Sequence, residues 1–411
     1  MKKHVSTAAV AAVAFICASA GEARAQSDTT NRVQASPART PGVFMNVGFD
    51  AMMAAGWSSD SRVRTRQIGD HDPRVRGFSI QGGELTLDAT VDPYFKGFAN
   101  IAYKLDENGE TGVELEEMYF LTTSLPKNLQ LKGGQFLTDF GRQNALHPHA
   151  WGFVDQNLVV GRMFGGEGLR GQGLRLSWLL PTSFYTEAMV TAMNATGGTA
   201  FSFLSEESPE IHGGLAFPDK AVNGAGDLLY VPRLTTSVDV TETQTIVAGV
   251  SGAFGPNNTG ENSRTAIYGA DVYWKWKSAQ AAAGFPFLSF QAEAMLRRYD
   301  AEQRLAADDP STTLPAETLK DQGVYAEVLW GVKPRVVLGF RAEDVSADPS
   351  SLLTENRFDR RRFSPNVTWY PTEFSRFRLQ YNRDSNSALG GANSLWAQFE
   401  FIMGAHAAHK F

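Results

Sequence analysis

The chain has 411 residues, with 44 acidic against 38 basic side chains and a single cysteine, Cys17. No basic tract supplies the phosphate contacts that nucleic-acid binding requires, so the composition argues against a nucleic-acid partner. One cysteine also excludes a disulfide framework and a metal site built from several thiolates.

Residues 1–25 are predicted to form a signal peptide for export. A basic start precedes an apolar stretch over residues 8–20, and Ala23 and Ala25 provide the small residues that a signal peptidase reads. The alternative is a membrane anchor, but the apolar stretch is shorter than the ~20 residues that a transmembrane helix needs. The polar residues 26–41 are then expected to form a flexible periplasmic lead-in.

From residue 42 to residue 411 the sequence alternates apolar and polar side chains in segments separated by turn residues. Because only alternate residues of a membrane strand face lipid, this pattern is typical of a transmembrane β-barrel. The candidate strands are residues 43–57, 78–89, 94–104, 113–123, 129–138, 174–180, 183–193, 228–240, 245–254, 264–277, 287–299, 322–331, 335–345, 361–370, 374–383 and 393–403. Residues 42–411 are therefore predicted to be all-β, a transmembrane antiparallel β-barrel of about 16 strands in the bacterial outer membrane.

The connections between these segments alternate in length. Short turns such as 91–93 and 181–182 take turns with long polar connections such as 58–77, 141–173 and 195–226. Short periplasmic turns and long outer loops are typical of outer-membrane barrels. The alternation therefore supports the barrel and places the long connections on the outer side.

Alternation within a strand assigns its two faces. In segment 264–277, Tyr268 and Trp274 share one parity while Asp271 and Lys275 share the other. A charged residue facing lipid near the bilayer centre costs roughly 2–4 kcal/mol, so the charged parity is expected to face the lumen. The pore-lining candidates are Lys96, Lys104, Asp271, Lys275, Glu293, Arg297, Glu327, Arg341, Glu343, Arg376, Arg378 and Glu400. The alternative is that these charges pair across strands and only stabilise the wall.

The long connection at residues 141–173 follows the fifth predicted strand and contains large apolar side chains, among them Trp151, Phe153 and Phe164. Such large apolar side chains are not expected in a loop that is wholly exposed to water. A barrel of about 16 strands leaves an aqueous channel unless something fills it. We therefore expect this loop, the third on the outer side after residues 58–77 and 106–112, to fold inward and to narrow the pore.

His147 and His149 lie in that loop, and imidazoles suit zinc, copper and nickel. They are the candidate metal ligands, with loop-packing imidazoles as the alternative. The G-x-G-x-x-G pattern at residues 166–171 lacks the strand–helix context of a dinucleotide site, so no cofactor is expected. No local catalytic constellation is evident, and the chain is expected not to be an enzyme.

Several segments carry a resemblance to a known group: GGQF at residues 133–136, GR at 141–142, LHPH at 146–149, LWAQFEF at 395–401 and GAHAAHKF at 404–411. In these segments the chain resembles the phosphate-selective porin O and P-like superfamily. Within it, the chain is similar to bacterial sequences labelled zinc-regulated TonB-dependent outer-membrane receptors. The resemblance implies a trimeric, 16-stranded barrel with an inward third loop.

Two properties of that group are not carried over. The chain is shorter than a TonB-dependent receptor of about 22 strands and has no plug-like segment. The arginine ladder of phosphate-selective members is not evident, so phosphate specificity is not expected either.

The chain is thus predicted to be a Gram-negative porin for passive diffusion of small hydrophilic solutes or ions. The alternatives are a zinc-related transporter or receptor and a plugged adhesion barrel. The expected partners are outer-membrane lipid, two further copies in a homotrimer, and the barrel-assembly machinery. That machinery would read the terminal strand through Phe411.

Overall fold

The computed structural model describes residues 45–105, 110–205, 209–215, 222–282, 284–348 and 357–404. The predicted signal peptide, the lead-in and the terminal Phe411 lie outside these residues, as do His406 and His409. Within the described residues, no helix is both long and apolar enough to cross a bilayer.

Sixteen antiparallel strands close into one barrel, as predicted, and each pairs with its neighbour in the chain. The wall strands are β1 Met45–Ser58, β2 Gly77–Thr90, β3 Phe95–Leu105, β4 Thr111–Thr122, β5 Leu129–Leu137, β6 Arg170–Leu179, β7 Tyr185–Asn194, β8 Leu228–Thr241, β9 Gln244–Pro256, β10 Arg264–Ala282, β11 Phe285–Ala301, β14 Glu317–Lys333, β15 Val336–Ala347, β16 Arg360–Thr372, β17 Ser375–Asn386 and β18 Gly390–Gly404. The barrel closes where β1 pairs with β18, for example Trp57 opposite Leu395.

The remaining elements are short and lie in the connections. A two-stranded hairpin is formed by β12 Arg304–Leu305 and β13 Thr313–Leu314. The α-helices are α1 Val63–Arg66, α2 Leu158–Phe164 and α3 Pro209–His212, and 3-10 turns occupy Pro126–Asn128, Pro148–Ala150 and Ala225–Asp227. Short turns such as 242–243 alternate around the barrel with long connections such as 59–76, 138–169 and 195–227.

Period-two alternation builds the wall, and β17 shows it most regularly. Arg376 and Arg378 are 2% exposed, whereas Phe377 between them is 46% exposed and faces outward. On that outer face Phe377 lies 4.6 Å from Phe399 of β18 and 5.8 Å from Trp369 of β16, between ring centroids. Aromatic rings on the outer face are typical of the girdles that flank the lipid-facing band.

The third loop, residues 138–169, folds into the lumen, which confirms the predicted inward loop. Helix α2 is entirely buried and contacts β11, β14 and β15 from inside the barrel. Its apolar side chains pack on inward-facing residues that include Met295 and Tyr325. A Cβ on Gly269 would lie 2.6 Å from the ring of Phe140, so the wall needs a glycine where this loop ring packs.

Two further segments enter the lumen, in contrast to the sequence prediction of exposed outer loops. Residues 59–76 bury Arg66 and His71, and residues 195–205 bury Phe203. Polar groups of residues 59–76 find partners inside: Arg362 donates to the carbonyl oxygen of Arg66 at 2.8 Å. Polar composition therefore does not imply exposure where the facing barrel wall is itself polar.

Candidate functional site

The lumen behind the third loop has an acidic side and a basic side. The acidic side is formed by inward carboxylates of β1, β2 and β4: Asp50, Glu84, Glu116 and Glu117. The basic side is formed by inward arginines of β15, β16 and β17: Arg341, Arg360, Arg362, Arg376 and Arg378. The third loop lies between the two and contacts both.

A β-bulge gives the acidic side its two adjacent glutamates. Asn100 of β3 pairs with Glu117 and the next residue, Ile101, pairs with Leu115, so Glu116 is the extra residue. A bulge of this kind re-aims side chains that strict alternation would send to opposite faces. Glu116 and Glu117 are consequently 3% and 5% exposed, and both face the lumen.

His147 and His149 of the third loop meet these carboxylates. Nε2 of His147 donates a hydrogen bond of 2.9 Å to Oε2 of Glu117. Its Nδ1 lies 3.2 Å from Oε2 of Glu84 and 3.3 Å from Oε2 of Glu116. Nδ1 of His149 lies 3.5 Å from Asp50, and the two imidazole rings stack with centroids 5.9 Å apart.

These surroundings set the charge of the loop histidines. Burial lowers the pKa of His147, but Glu84, Glu116 and Glu117 outweigh burial and hold that pKa well above its usual value. For His149, Glu84 and Asp50 likewise outweigh burial and raise the pKa. With no other cation bound, imidazolium rings therefore neutralise part of the acidic side.

A second β-bulge, in β2, connects residues 59–76 to the acidic side of the lumen. Gln81 is the extra residue where β2 pairs with β1, and its Nε2 donates to the carbonyl oxygens of His71 and Val154 at 2.7 and 2.9 Å. Nε2 of His71 lies 3.4 Å from Oε1 of Glu116. Burial lowers the pKa of His71, but Glu116 and Glu167 raise it to about 9.

The basic side holds the third loop through Asp155. Its carboxylate accepts hydrogen bonds from Arg341 at 2.6 Å and from Arg362 at 3.0 Å. Gln380 and Asn382 of β17 complete its partners, at 2.8 and 2.6 Å. Burial raises the pKa of Asp155, but Arg362 and Arg341 lower it more, so the carboxylate is ionised.

Two wall acids, on β11 and β15, anchor the loop main chain. Glu293 of β11 accepts hydrogen bonds from the backbone N–H groups of Arg142 and Gln143 at 2.9 and 2.8 Å. Glu343 of β15 accepts one from the N–H of Leu158 at 2.7 Å, at the first residue of α2. These charges therefore position the loop.

The pore-lining candidates fall into two groups. Eight are buried on the inner face: Asp271, Glu293, Arg297, Arg341, Glu343, Arg376, Arg378 and Glu400. Four are half-buried: Lys96, Lys104, Lys275 and Glu327. Several of the buried charges have close partners of opposite charge, such as Arg297 with Asp321 at 2.8 Å. A role for any of the twelve in permeation stays a prediction.

Residues that the sequence analysis did not select form much of this site, among them Asp50, Glu116, Glu117, His71 and Asp155. The adjacent glutamates at 116 and 117 break the alternation of their strand, and that break was the available signal for a bulge. The segment 59–76 offered no such signal.

Open space borders the acidic side. A cavity of about 30 Å³ lies between His71, Glu116, His147 and Glu167. A second cavity of about 520 Å³ shares Glu167 with the first and is also lined by Lys104. The small cavity has room for one or two water molecules.

No family model matches the chain. A protein of Aquifex aeolicus, described as uncharacterized, is 32% identical over an alignment of 356 residues, and the match covers 82% of this chain and 70% of that protein. The anion-selective porin from Comamonas acidovorans has a TM-score of 0.54 at 7% identity, over 88% of this chain and all of that one. The outer-membrane channel DcaP of Acinetobacter baumannii has a TM-score of 0.53 at 12% identity, over 88% and 97%.

OmpT of Vibrio cholerae, in a structure of its trimer form, has a TM-score of 0.51 at 9% identity, over 88% of this chain and all of that one. At these identities the three structures establish a shared fold. The chain therefore belongs to the family of the Aquifex aeolicus protein and is a porin-like β-barrel of the bacterial outer membrane.

Proposed function

We propose that this barrel is an outer-membrane channel for passive diffusion of small hydrophilic solutes or ions, without enzymatic activity. The observation that carries the proposal is a charged inner wall with a loop bound across it, from Glu117 of β4 on one side to Glu293 of β11 and Arg341 of β15 on the other. A wall that served only as scaffold for an apolar filling would not need ionised groups of both signs facing inward.

The diffusion path would run along β3, β4 and β6, beside the loop. The cavity of about 520 Å³ lies there, between β3, β4, β6 and the loop, and Lys104, Glu114 and Arg170 line it. The lining combines both signs, so we expect weak ion selectivity.

A second candidate function, a plugged adhesion barrel, is favoured by one observation. Phe140, Met163 and Phe164 of the loop are fully buried against apolar inward residues of the wall. A lumen sealed by this apolar cluster would present the outer loops on a closed barrel and would not conduct.

Liposome swelling distinguishes the two functions. The refolded barrel is reconstituted into liposomes, which are diluted into isotonic solutions of sugars of increasing size. A channel gives swelling rates that fall with sugar size, whereas a plugged barrel gives the rate of protein-free liposomes for every sugar. The latter result from a correctly folded barrel would contradict the channel proposal.

The proposal also includes a superfamily and an oligomeric state for this chain. Membership of the phosphate-selective porin O and P-like superfamily rests on the GGQF, LHPH and C-terminal segments. A homotrimer rests on that resemblance and on the trimer form of the Vibrio cholerae neighbour. Mass measurement of the detergent-solubilised protein tests the trimer, and a monomer mass would contradict it.

A further inference from the structure

We propose that the acidic side of the lumen binds a divalent transition-metal ion, through Glu84 and Glu116 of the wall and His147 of the third loop. Asp50 and His149 form an adjoining set that shares Glu84. The site requires the loop to lie in the lumen but does not require the barrel to conduct.

The spacing of the ligand atoms fits one ion. The ligand atoms of Glu84, Glu116 and His147 lie within 4.8 Å of one another, and so do those of Asp50, Glu84 and His149. Zinc binds imidazole nitrogen and carboxylate oxygen at about 2.0–2.2 Å, so two ligands of a tetrahedral ion lie roughly 3.3 Å apart. The distances from Nδ1 of His147 to Glu84 and Glu116, 3.2 and 3.3 Å, match that separation.

Unsatisfied carboxylate oxygens point into the same place. Both oxygens of Asp50, Oε1 of Glu84 and Oε2 of Glu116 are buried and accept no hydrogen bond, and the three residues are 2%, 1% and 3% exposed. The four carboxylates of Asp50, Glu84, Glu116 and Glu117 share the two loop imidazoles, so their buried charge is only partly compensated, which is unfavourable. A bound cation would supply the missing interaction.

Other buried acids of the lumen are satisfied differently. Asp155 lies between two arginines, and Asp321 accepts from Arg162 and Arg297 at 3.0 and 2.8 Å. Within the described part of the chain, no lysine or arginine forms an ion pair with Asp50 or Glu84. Their facing groups are imidazoles, which are metal ligands as well as bases.

The surrounding residues orient the proposed ligands. Glu117 accepts the Nε2 proton of His147, which turns Nδ1 of that ring toward Glu84 and Glu116. Asn100 donates to Oε2 of Glu84 at 2.7 Å and fixes that carboxylate. A carboxylate behind a ligating histidine is the usual arrangement around protein-bound metals.

The donor set indicates which ions would bind. Mixed imidazole and carboxylate ligands suit zinc, nickel and copper, whereas magnesium and calcium prefer oxygen alone. The small cavity between Glu116 and His147 could supply water as a further ligand. Its neighbour, which shares Glu167, provides a polar approach for the ion.

The test is calorimetric titration of the full, refolded barrel in detergent with ZnCl2 and, separately, MgCl2. The protein carries no histidine tag, because a tag would itself bind zinc. We expect saturable zinc binding and at least about tenfold weaker magnesium binding. His147→Gln and Glu116→Gln should each weaken zinc binding about tenfold or more.

Two control variants remove histidines that lie outside the proposed site, so that the loss of a histidine as such can be separated from the loss of a ligand. His212→Gln removes a buried histidine outside the cluster, and His406→Gln with His409→Gln removes the two histidines of the C-terminal tail. Both should leave zinc affinity unchanged. Loss of binding in the tail variant alone would assign the zinc to the tail and overturn the proposal.

X-ray absorption at the zinc edge covers the case in which the cluster variants do not fold. The zinc-loaded wild-type barrel should show imidazole scattering together with oxygen ligands. A shell of oxygen alone, or no saturable zinc binding by folded wild type, would overturn the site. Either failure leaves the channel proposal intact, and a barrel without conductance leaves this site intact.

Discussion

Asp155 of the third loop and Arg362 of β16 form an ion pair of 3.0 Å in the interior of the barrel, and both residues are fully buried. Arg341 approaches the same carboxylate at 2.6 Å from β15. The pair thus connects the loop to β16, a part of the strand wall separate from the strands β1, β2 and β4 that carry the acidic cluster. It also shows why inward charges in this barrel cannot be equated with pore lining.

Asp155→Ala should loosen the third loop. The substitution removes one of two carboxylate partners from each of the buried Arg341 and Arg362, which costs about 1–3 kcal/mol. We expect a lower urea midpoint of unfolding and larger or noisier conductance steps. The matched control is Asp348→Ala, whose ion pair with Lys320 is long and more than half exposed. Equal effects of both substitutions would contradict an anchoring role for Asp155.

Lys104→Glu should make the channel more cation-selective. Lys104 faces the larger cavity and pairs with Glu114 and Glu167, so the substitution places three carboxylates together. The ratio of potassium to chloride permeability, from the reversal potential in a KCl gradient, should rise by about twofold or more. Lys320→Glu, the same change at a 61% exposed residue, should leave the ratio unchanged. An unaltered ratio in Lys104→Glu would place the ion path elsewhere.

Gly269→Ala should destabilise the barrel by about 1–3 kcal/mol, because the added methyl overpacks against Phe140 of the loop. Gly112→Ala, a strand glycine whose Cβ would meet nothing within 4 Å, is the matched control. Urea unfolding followed by tryptophan fluorescence measures both. If Gly269→Ala were as stable as its control, the close approach of loop and wall would be wrong.

Phe411→Ala should slow barrel assembly and lower the amount of protein in the outer membrane. This prediction comes from the sequence, since the barrel-assembly machinery is expected to read an aromatic terminal residue. Lys410→Ala at the neighbouring position is the control and should assemble normally. Quantification of folded barrel in outer-membrane fractions tests it, and unchanged levels of Phe411→Ala would refute a role for the terminus.

The sequence predicted the barrel because period-two alternation survives in strands such as β17, where Arg376 and Arg378 face inward and Phe377 outward. It predicted the inward third loop because large apolar side chains such as Phe153 and Phe164 are not expected in a loop exposed to water. Both predictions depend on the polarity of individual side chains, which in a barrel reflects whether each side chain faces lipid or the interior.

Side-chain polarity did not predict which residues are buried where the lumen itself is polar. Segment 59–76 reads as an exposed loop, yet Arg66 and His71 are buried by contacts with distant strands. The inward turn of both Glu116 and Glu117 depends on a bulge, which one extra residue creates and which the sequence signals only by a break in the alternation. The acidic cluster could therefore be recognised only from the structure, in which the loop histidines lie against the carboxylates of the wall.

The most direct test of the channel proposal is single-channel conductance in planar bilayers, for the wild type and for a variant in which a short glycine–serine linker replaces residues 141–168. The deletion ends before Arg170, because β6 begins there. We predict discrete steps for the wild type and larger steps for the variant. Absence of steps from folded wild-type barrel would contradict the channel, and equal steps from both proteins would contradict a loop that narrows it.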